Sequence, residues 1–323
     1  MNESFQIGTA SAAAGERGDG HVEVAQRSDG TLISMAVIIV NGARPGPTLC
    51  LSGGIHGNEY AGIEAVSRLA RNLDPDDMAG TLVAVPVVNP VSFDNLDLFG
   101  HYDHINLNRS FPGSPSGLLT QRIAHTFLNE VVSRCDALVD LHTGGKARIM
   151  PLVIAQGDYL DLSKDLAQAT GMDLAWLGGP WTGTGRLAAL EAGIPAITIE
   201  AGGGMECREV DVLEHVRAVN SVMRHLGMLT GEPDRAPRCR VMTGAMTYSQ
   251  HGGLFRTSVA LEDAVKQGQV IARITDPFGD TLEEIRADRD GIAAMIRVVP
   301  TVRPGETLFI LGEIVDHWES TFD

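Results

Sequence analysis

The stretch TLCLSGGIHGNEYAGIEAVSRLARNL, residues 48–73, decides the fold. Thr48–Ser52 is a short apolar run of strand type, closed by Gly53 and Gly54. Beyond the glycines, Ile63, Val66, Leu69, Ala70 and Leu73 recur at helical spacing. A buried strand, a glycine turn and a helix, in that order, form one unit of an α/β sheet. Upstream, residues 31–40 read as a strand and 41–47 (NGARPGP) as a turn. Downstream, residues 82–88, 137–141 and 196–199 read as strands, and 121–133, 162–170 and 210–226 as helices. This alternation predicts an α/β fold with helices covering both faces of the sheet.

The pattern changes at Gly231–Pro237, where proline, glycine and charge cluster as in a linker. Beyond it, VKQGQVIARI (265–274) is echoed by VRPGETLFIL (302–311). Two hairpin-like halves of this kind predict a small all-β barrel or sandwich with the duplicated look of a lipoyl-type domain. The expected division is a catalytic α/β part over 1–235 and a β-rich part over 236–323.

A chain of 323 residues with 44% hydrophobic and 20% charged residues buries a large core unaided. Its formal net charge of −16 argues against nucleic acid or an anionic membrane as a partner. A small anionic substrate stays compatible with it, because a pocket can be locally basic. The four cysteines lack CxxC spacing, and Cys50 and Cys135 read as reduced core thiols. No run is long and apolar enough for a membrane helix, and no signal peptide is evident, so the cytoplasm is the expected location. An ordinary surface composition leaves open whether copies associate into a homo-oligomer.

Three strand ends carry chemistry-bearing residues beside glycine turns. His56 and Glu59 follow the strand 48–52, His142 follows the strand 137–141, in VDLHTGG, and Glu200 lies in AITIEAGGG. An isolated H-x-x-E also arises as a surface histidine near a helix N-terminus. Strand ends of open α/β sheets are nevertheless where ligands bind. Two imidazoles and a carboxylate with an open fourth position describe a catalytic zinc site, so His56, Glu59 and His142 are the expected metal ligands, with one Zn2+ per chain. Glu200 is then the expected general acid/base. Asp140 is expected on the opposite face of its strand from His142, or else in a supporting role. Asn108 and Arg109, in NLNRSFPG, and Arg186, in GTGRLAALEAGIP, are candidates for gripping a substrate carboxylate; surface ion pairs are the alternative for both arginines.

HGNE (56–59), NLNRSFPG (106–113), DLHTGG (140–145) and GIPAITIEAGGG (193–204), in this order, resemble the succinylglutamate desuccinylase/aspartoacylase family, a group related to the zinc carboxypeptidases. GLFRTSVALEDAVKQGQVIARITDPFGD (253–280) resembles that family's C-terminal β-domain. The resemblance implies a zinc-carboxypeptidase-like mixed sheet flanked by helices. It implies zinc on His56, Glu59 and His142, Glu200 as general acid/base, and Asn108, Arg109 and Arg186 on an anionic N-acyl amino acid. The sequence departs from the family at Leu98–His104, LFGHYDH, where many members carry a further arginine. His101, His104 or another residue takes that place, and a dicarboxylic acyl group is not to be assumed. The long form with its β-tail looks closer to the branch that deacetylates N-acetyl-diaminobutyrate in ectoine breakdown.

The expected activity is therefore zinc-dependent hydrolysis of the amide of a small N-acyl amino acid. A metallocarboxypeptidase acting on peptides uses the same chemistry, and a capping tail would exclude it. An inactive metal-binding relative is disfavoured by Glu200. A carrier protein requires a lysine at the tip between the two β halves; Asp276–Glu284 has none, and Lys266 stands in the wrong turn.

Overall fold

The computed structural model describes residues 3–178 and 181–319, so residues 1–2 and 320–323, at the ends of the two expected parts, and residues 179–180 lie outside it. In chain order the strands are β1 (Phe5–Ile7), β2 (Ala10–Ala12), β3 (Glu16–Gln26), β4 (Leu32–Asn41), β5 (Arg44–Ser52), β6 (Ala79–Val85), β7 (Ala137–His142), β8 (Ala147–Gln156) and β9 (Leu174–Gly178). They continue as β10 (Ala196–Gly203), β11 (Arg238–Tyr248), β12 (Gly253–Thr257), β13 (Ala264–Val265), β14 (Val270–Thr275), β15 (Thr281–Arg286), β16 (Gly291–Arg297), β17 (Thr301–Val302) and β18 (Thr307–Glu319). The helices are α1 (Tyr60–Asn72), α2 (Pro90–Asp94), α3 (Leu119–Thr126), α4 (Leu160–Ala169), α5 (Gly185–Glu191) and α6 (Glu209–His225).

The expected α/β pattern is present as a large mixed sheet with helices. One continuous sheet runs β13-β16-β18-β11-β9-β8-β10-β7-β5-β6-β4-β3. Its centre is the parallel set β6, β5, β7 and β10, whose strands are buried on both faces and therefore read as unbroken apolar runs. α1 lays Ala61, Ala65, Val66, Leu69 and Ala70 into a core shared with Leu49, Leu51, Val139 and Leu141. A second core, on the other face, holds Cys50, Val83, Leu138, Phe127 and Leu190. The four cysteines are unpaired, and Cys50 and Cys135 are buried as expected.

Local readings shift in a few places. β5 starts at Arg44, inside the segment read as a turn, although only its Thr48–Ser52 part pairs continuously. β6 stops at Val85 because Pro86 has no N–H to give a ladder. The expected helix 121–133 begins at Leu119 and ends in a π-turn over Phe127–Val131 and a 3₁₀ turn over Val132–Arg134.

The segment after Pro237 does not stand apart from the sheet. β11 pairs with β9, and β16 pairs with both β18 and the start of β8. Strands β8, β9, β11, β18 and β16 thereby close a ring. A second sheet, β15-β14-β12-β17, is joined to β13, β16 and β18 by a separate core of Phe255, Ile271, Ile274, Ile285, Ile296, Leu308, Phe309 and Leu311. No helix among the described residues is long and apolar enough to cross a membrane.

His215, fully buried on α6, gives this fold an acid-labile point. Burial pushes its pKa down to about 4. The unfolded chain takes up this proton below about pH 6.5, while the folded chain refuses it until about pH 4, so stability falls over that window as pH drops. The loss reaches about 3 kcal/mol at pH 4. In denaturant titrations at pH 7 and pH 5, His215→Leu is expected to lose less stability on acidification than the parent; equal losses would place the acid sensitivity elsewhere.

Candidate active site

The parallel centre of the sheet delivers three side chains to one point. β5 ends at Ser52, and the chain turns through Gly53 and Gly54 to present His56 and then Glu59, which caps α1. The turn depends on Gly57, where a Cβ would lie 2.0 Å from the backbone of Ser92. His142 is the last residue of β7, and its register partner on the neighbouring β10 is Glu200.

Glu59 joins the two imidazoles. Its Oε1 lies 2.8 Å from His56 Nδ1 and its Oε2 2.9 Å from His142 Nδ1, and the ring centroids are 5.0 Å apart. The Thr143 N–H donates to Glu59 Oε2 at 3.0 Å. All three side chains are buried, and one donor atom from each lies within 4.8 Å of the others. Burial alone would raise the Glu59 pKa, but the two imidazoles outweigh it and hold it near 2. Burial likewise pulls His142 down, and Asp140 and Glu59 outweigh it, leaving His142 well above its ordinary value. Two imidazole nitrogens and an ionised carboxylate, buried and converging on one point, are a donor set that fits a divalent metal ion.

The outer nitrogens are occupied as well. His142 Nε2 lies 2.8 Å from Asp140 Oδ2, and the Ser52 hydroxyl donates to Asp140 Oδ1 at 2.7 Å. The expectation that Asp140 faces away is therefore corrected: residues two apart on a strand share a face. His56 Nε2 lies 3.1 Å from Asn106 Oδ1, which also accepts the Asn108 N–H. Neither Asn106 nor Ser52 stands out in the sequence. Asn106 has a local signal only in hindsight, as the side chain capping the 3₁₀ turn Leu107–Arg109.

Glu200 lines the same cavity as the metal-type cluster, with Oε2 buried and without a hydrogen-bond partner among the described residues. Burial, aided by Glu59 and Asp140, pushes its pKa up to about 8 against the opposing pull of His142 and Arg186. Arg186 is buried and, among the described residues, bonds only neutral oxygens, Thr198 Oγ1 at 2.9 Å and Gln156 Oε1 at 3.1 Å. Burial lowers its pKa to about 10, so it stays charged at neutral pH. Gly178 makes room for it, since a Cβ there would lie 2.7 Å from Nη2. Asn108 accepts the Gly185 N–H on its side-chain oxygen, and the Arg109 guanidinium lies 5.3 Å over the Trp181 ring. All seven expected site residues border one cavity of about 400 Å³.

His101 and His104, considered for the missing arginine, are exposed and do not border that cavity. The sequence reading also missed part of its wall. Met246, Tyr248, Met295, Arg297, Glu306 and Ile310 come from the C-terminal strands and loops, which reach the site only through long-range pairing.

Residues 45–226 match the family model described as the succinylglutamate desuccinylase/aspartoacylase catalytic domain. An N-alpha-acetyl-L-2,4-diaminobutyric acid deacetylase from Halomonas elongata is 34% identical over 288 residues, which cover 84% of this chain and 83% of that protein. The product-bound structure of the ectoine utilization protein EutE (DoeB) from Ruegeria pomeroyi superimposes with a TM-score of 0.83 at 26% identity, over 92% of this chain and 94% of that one. A succinylglutamate desuccinylase structure from Silicibacter sp. TM1040 gives 0.82 at 27% identity, over 96% and 100%. From the family match and the identity to that relative, the chain belongs to the succinylglutamate desuccinylase/aspartoacylase family.

Proposed function

We propose that this protein is a zinc-dependent hydrolase that cleaves the amide bond of a small N-acyl amino acid, in the manner of an N-acetyl-diaminobutyrate deacetylase. The observation that carries the reading is Glu59 set between two buried imidazoles, with Glu200 beside them in one cavity. His56, Glu59 and His142 would hold one zinc ion. When bound, that ion supplies Lewis acidity for the scissile carbonyl and lowers the pKa of water. Asp140 and Asn106 fix the two imidazole rings, so that Nδ1 of each faces Glu59.

Glu200 serves as general base and then general acid. Its carboxylate takes a proton from the attacking water and returns it to the leaving nitrogen, which departs as a neutral amine. A carboxyl pushed up towards neutrality by burial is suited to both transfers. Asn108, Arg109 and Arg186 receive the substrate carboxylate. The fit to peptides is poorer, because β11, β16 and β18 wall the cavity on one side. In this reading the sheet is carboxypeptidase-like, residues 236–323 act as a β-rich capping part, and the unpaired cysteines suit a reducing cytoplasm. A carrier role gains no support: Lys266 is paired with Asp290 at 2.8 Å, in a turn away from the site.

An amine-release screen of N-acetyl, N-succinyl and N-formyl amino acids, with diaminobutyrate and aspartate derivatives included, tests the reaction. Cleavage that a chelator stops and zinc restores is expected, with peptides poorly cut; faster release of C-terminal residues from peptides would favour the carboxypeptidase. Glu200→Gln is expected to keep its metal and lose turnover by roughly 10²-fold or more. Near-normal turnover in that variant removes Glu200 from the chemistry. For the metal, His142→Ala is expected to come out of dialysis empty, and Asp140→Asn to bind zinc about 10–100-fold more weakly in a chelator competition. Full occupancy of His142→Ala would overturn the ligand assignment.

A further inference from the structure

The cavity has two chemically different ends, and Glu200 lies between them. Along β10, Thr198, Glu200 and Gly202 follow at intervals of two residues, roughly 7 Å each. At the Thr198 end sits Arg186, bonded to Thr198 Oγ1, with Arg109 and Trp181 nearby on the cavity wall. At the other end Gly202 is the register partner of Ile149 on β8. A register shift between Glu200 and Gly202 resets the pleat, so that Ile149 at this end and Ile154, the register partner of Thr198 at the other, both border the cavity.

Ile149 begins an apolar row that crosses four strands. It is the register partner of Met295 on β16, Met295 of Ile310 on β18, and Ile310 of Met246 on β11. All four side chains border the cavity. The cations at this end are already matched: Lys146 Nζ lies 3.1 Å from Asp97, and Arg297 lies 3.0 Å from Glu306 and donates to the carbonyls of Val299 and Thr301.

We propose that the row Ile149–Met295–Ile310–Met246 is the acyl-group subsite, and that the enzyme acts on N-acyl amino acids whose acyl chain is uncharged and apolar, longer than acetyl included, and discriminates against dicarboxylic acyl chains. The proposal rests on the deacylase reading above. The substrate carboxylate belongs to the amino-acid half, and Arg186 draws that half to the Thr198 end. The scissile amide lies at Glu200, so the acyl half extends the other way, onto the row. A second carboxylate on the row itself would meet four apolar side chains, with Lys146 and Arg297 at this end already paired, and burying an unpaired charge is strongly unfavourable.

The test uses the zinc-loaded full-length protein and one amino acid carrying acetyl, butanoyl, hexanoyl or succinyl groups. Each buried methylene contributes up to about fourfold, so kcat/KM for butanoyl is expected to exceed acetyl by about tenfold, and succinyl to fall well below both. Met295→Ala and Met246→Ala are expected to shrink the butanoyl-to-acetyl ratio about threefold or more. Preference for succinyl, or a flat response to chain length, overturns the proposal while leaving the deacylase reading intact. If no derivative is cleaved, that reading fails by itself. Calorimetric binding of the same four compounds then decides the subsite: tighter butanoyl than succinyl binding upholds it, and the reverse rejects it.

Discussion

The structure of the site depends on one buried carboxylate. Glu59 stands between two imidazoles that arrive from different strands, and its two oxygens lie 2.8 and 2.9 Å from their Nδ1 atoms. A carboxylate taken out of water is tolerable only where opposite charge and donors surround it. Here the histidines and the Thr143 N–H provide that surrounding. The same need explains the next layer. Each histidine has its outer nitrogen fixed, His142 by Asp140 and His56 by Asn106, so neither ring is free to rotate away from Glu59.

This constraint shapes the backbone beneath it. β5 and β7 are adjacent and parallel, and their ends lie side by side because Ser52 and Asp140 are register partners. That pairing places the Ser52 hydroxyl on Asp140, and Asp140 on His142. The chain from one strand end to the other is long, yet the sheet register alone brings residues 56 and 142 together. Gly57 then allows the His56 loop to press against the Ser92 backbone, where a side chain has no room.

What was legible in the sequence follows from the same physics. Strands buried on both faces, such as Thr48–Ser52 and Ala137–Leu141, are continuous apolar runs, and their polar ends stand out against them. The positions of His56, Glu59, His142 and Glu200 were readable for that reason. β3 was not, because as the exposed edge of the sheet it consists largely of polar residues and carries no apolar alternation. β8 followed a glycine turn without a helix between, outside the strand–helix rhythm that organised the reading. Of the two roles open to Asp140 in the sequence, the supporting one holds, as its spacing of two from His142 determines. The contribution of Met246, Met295 and Ile310 was illegible for a deeper reason: it arises from pairings between strands well over a hundred residues apart, such as β8 with β16, which no local pattern encodes.

The charge of the molecule completes the argument. With a formal net charge of −16, the protein repels an anionic substrate at a distance, but physiological salt screens that field within about 8 Å. In the proposed reading, recognition of such a substrate falls to charges inside the cavity, where screening is weak. Arg186 is suited to it because its partners, Thr198 and Gln156, are neutral. A carboxylate partner would have stabilised the guanidinium and consumed its charge. Neutral oxygens hold it in place, and no carboxylate among the described residues is in direct contact with it. Burial lowers its pKa only to about 10, so the cation persists at neutral pH, and an incoming carboxylate is the group that relieves it.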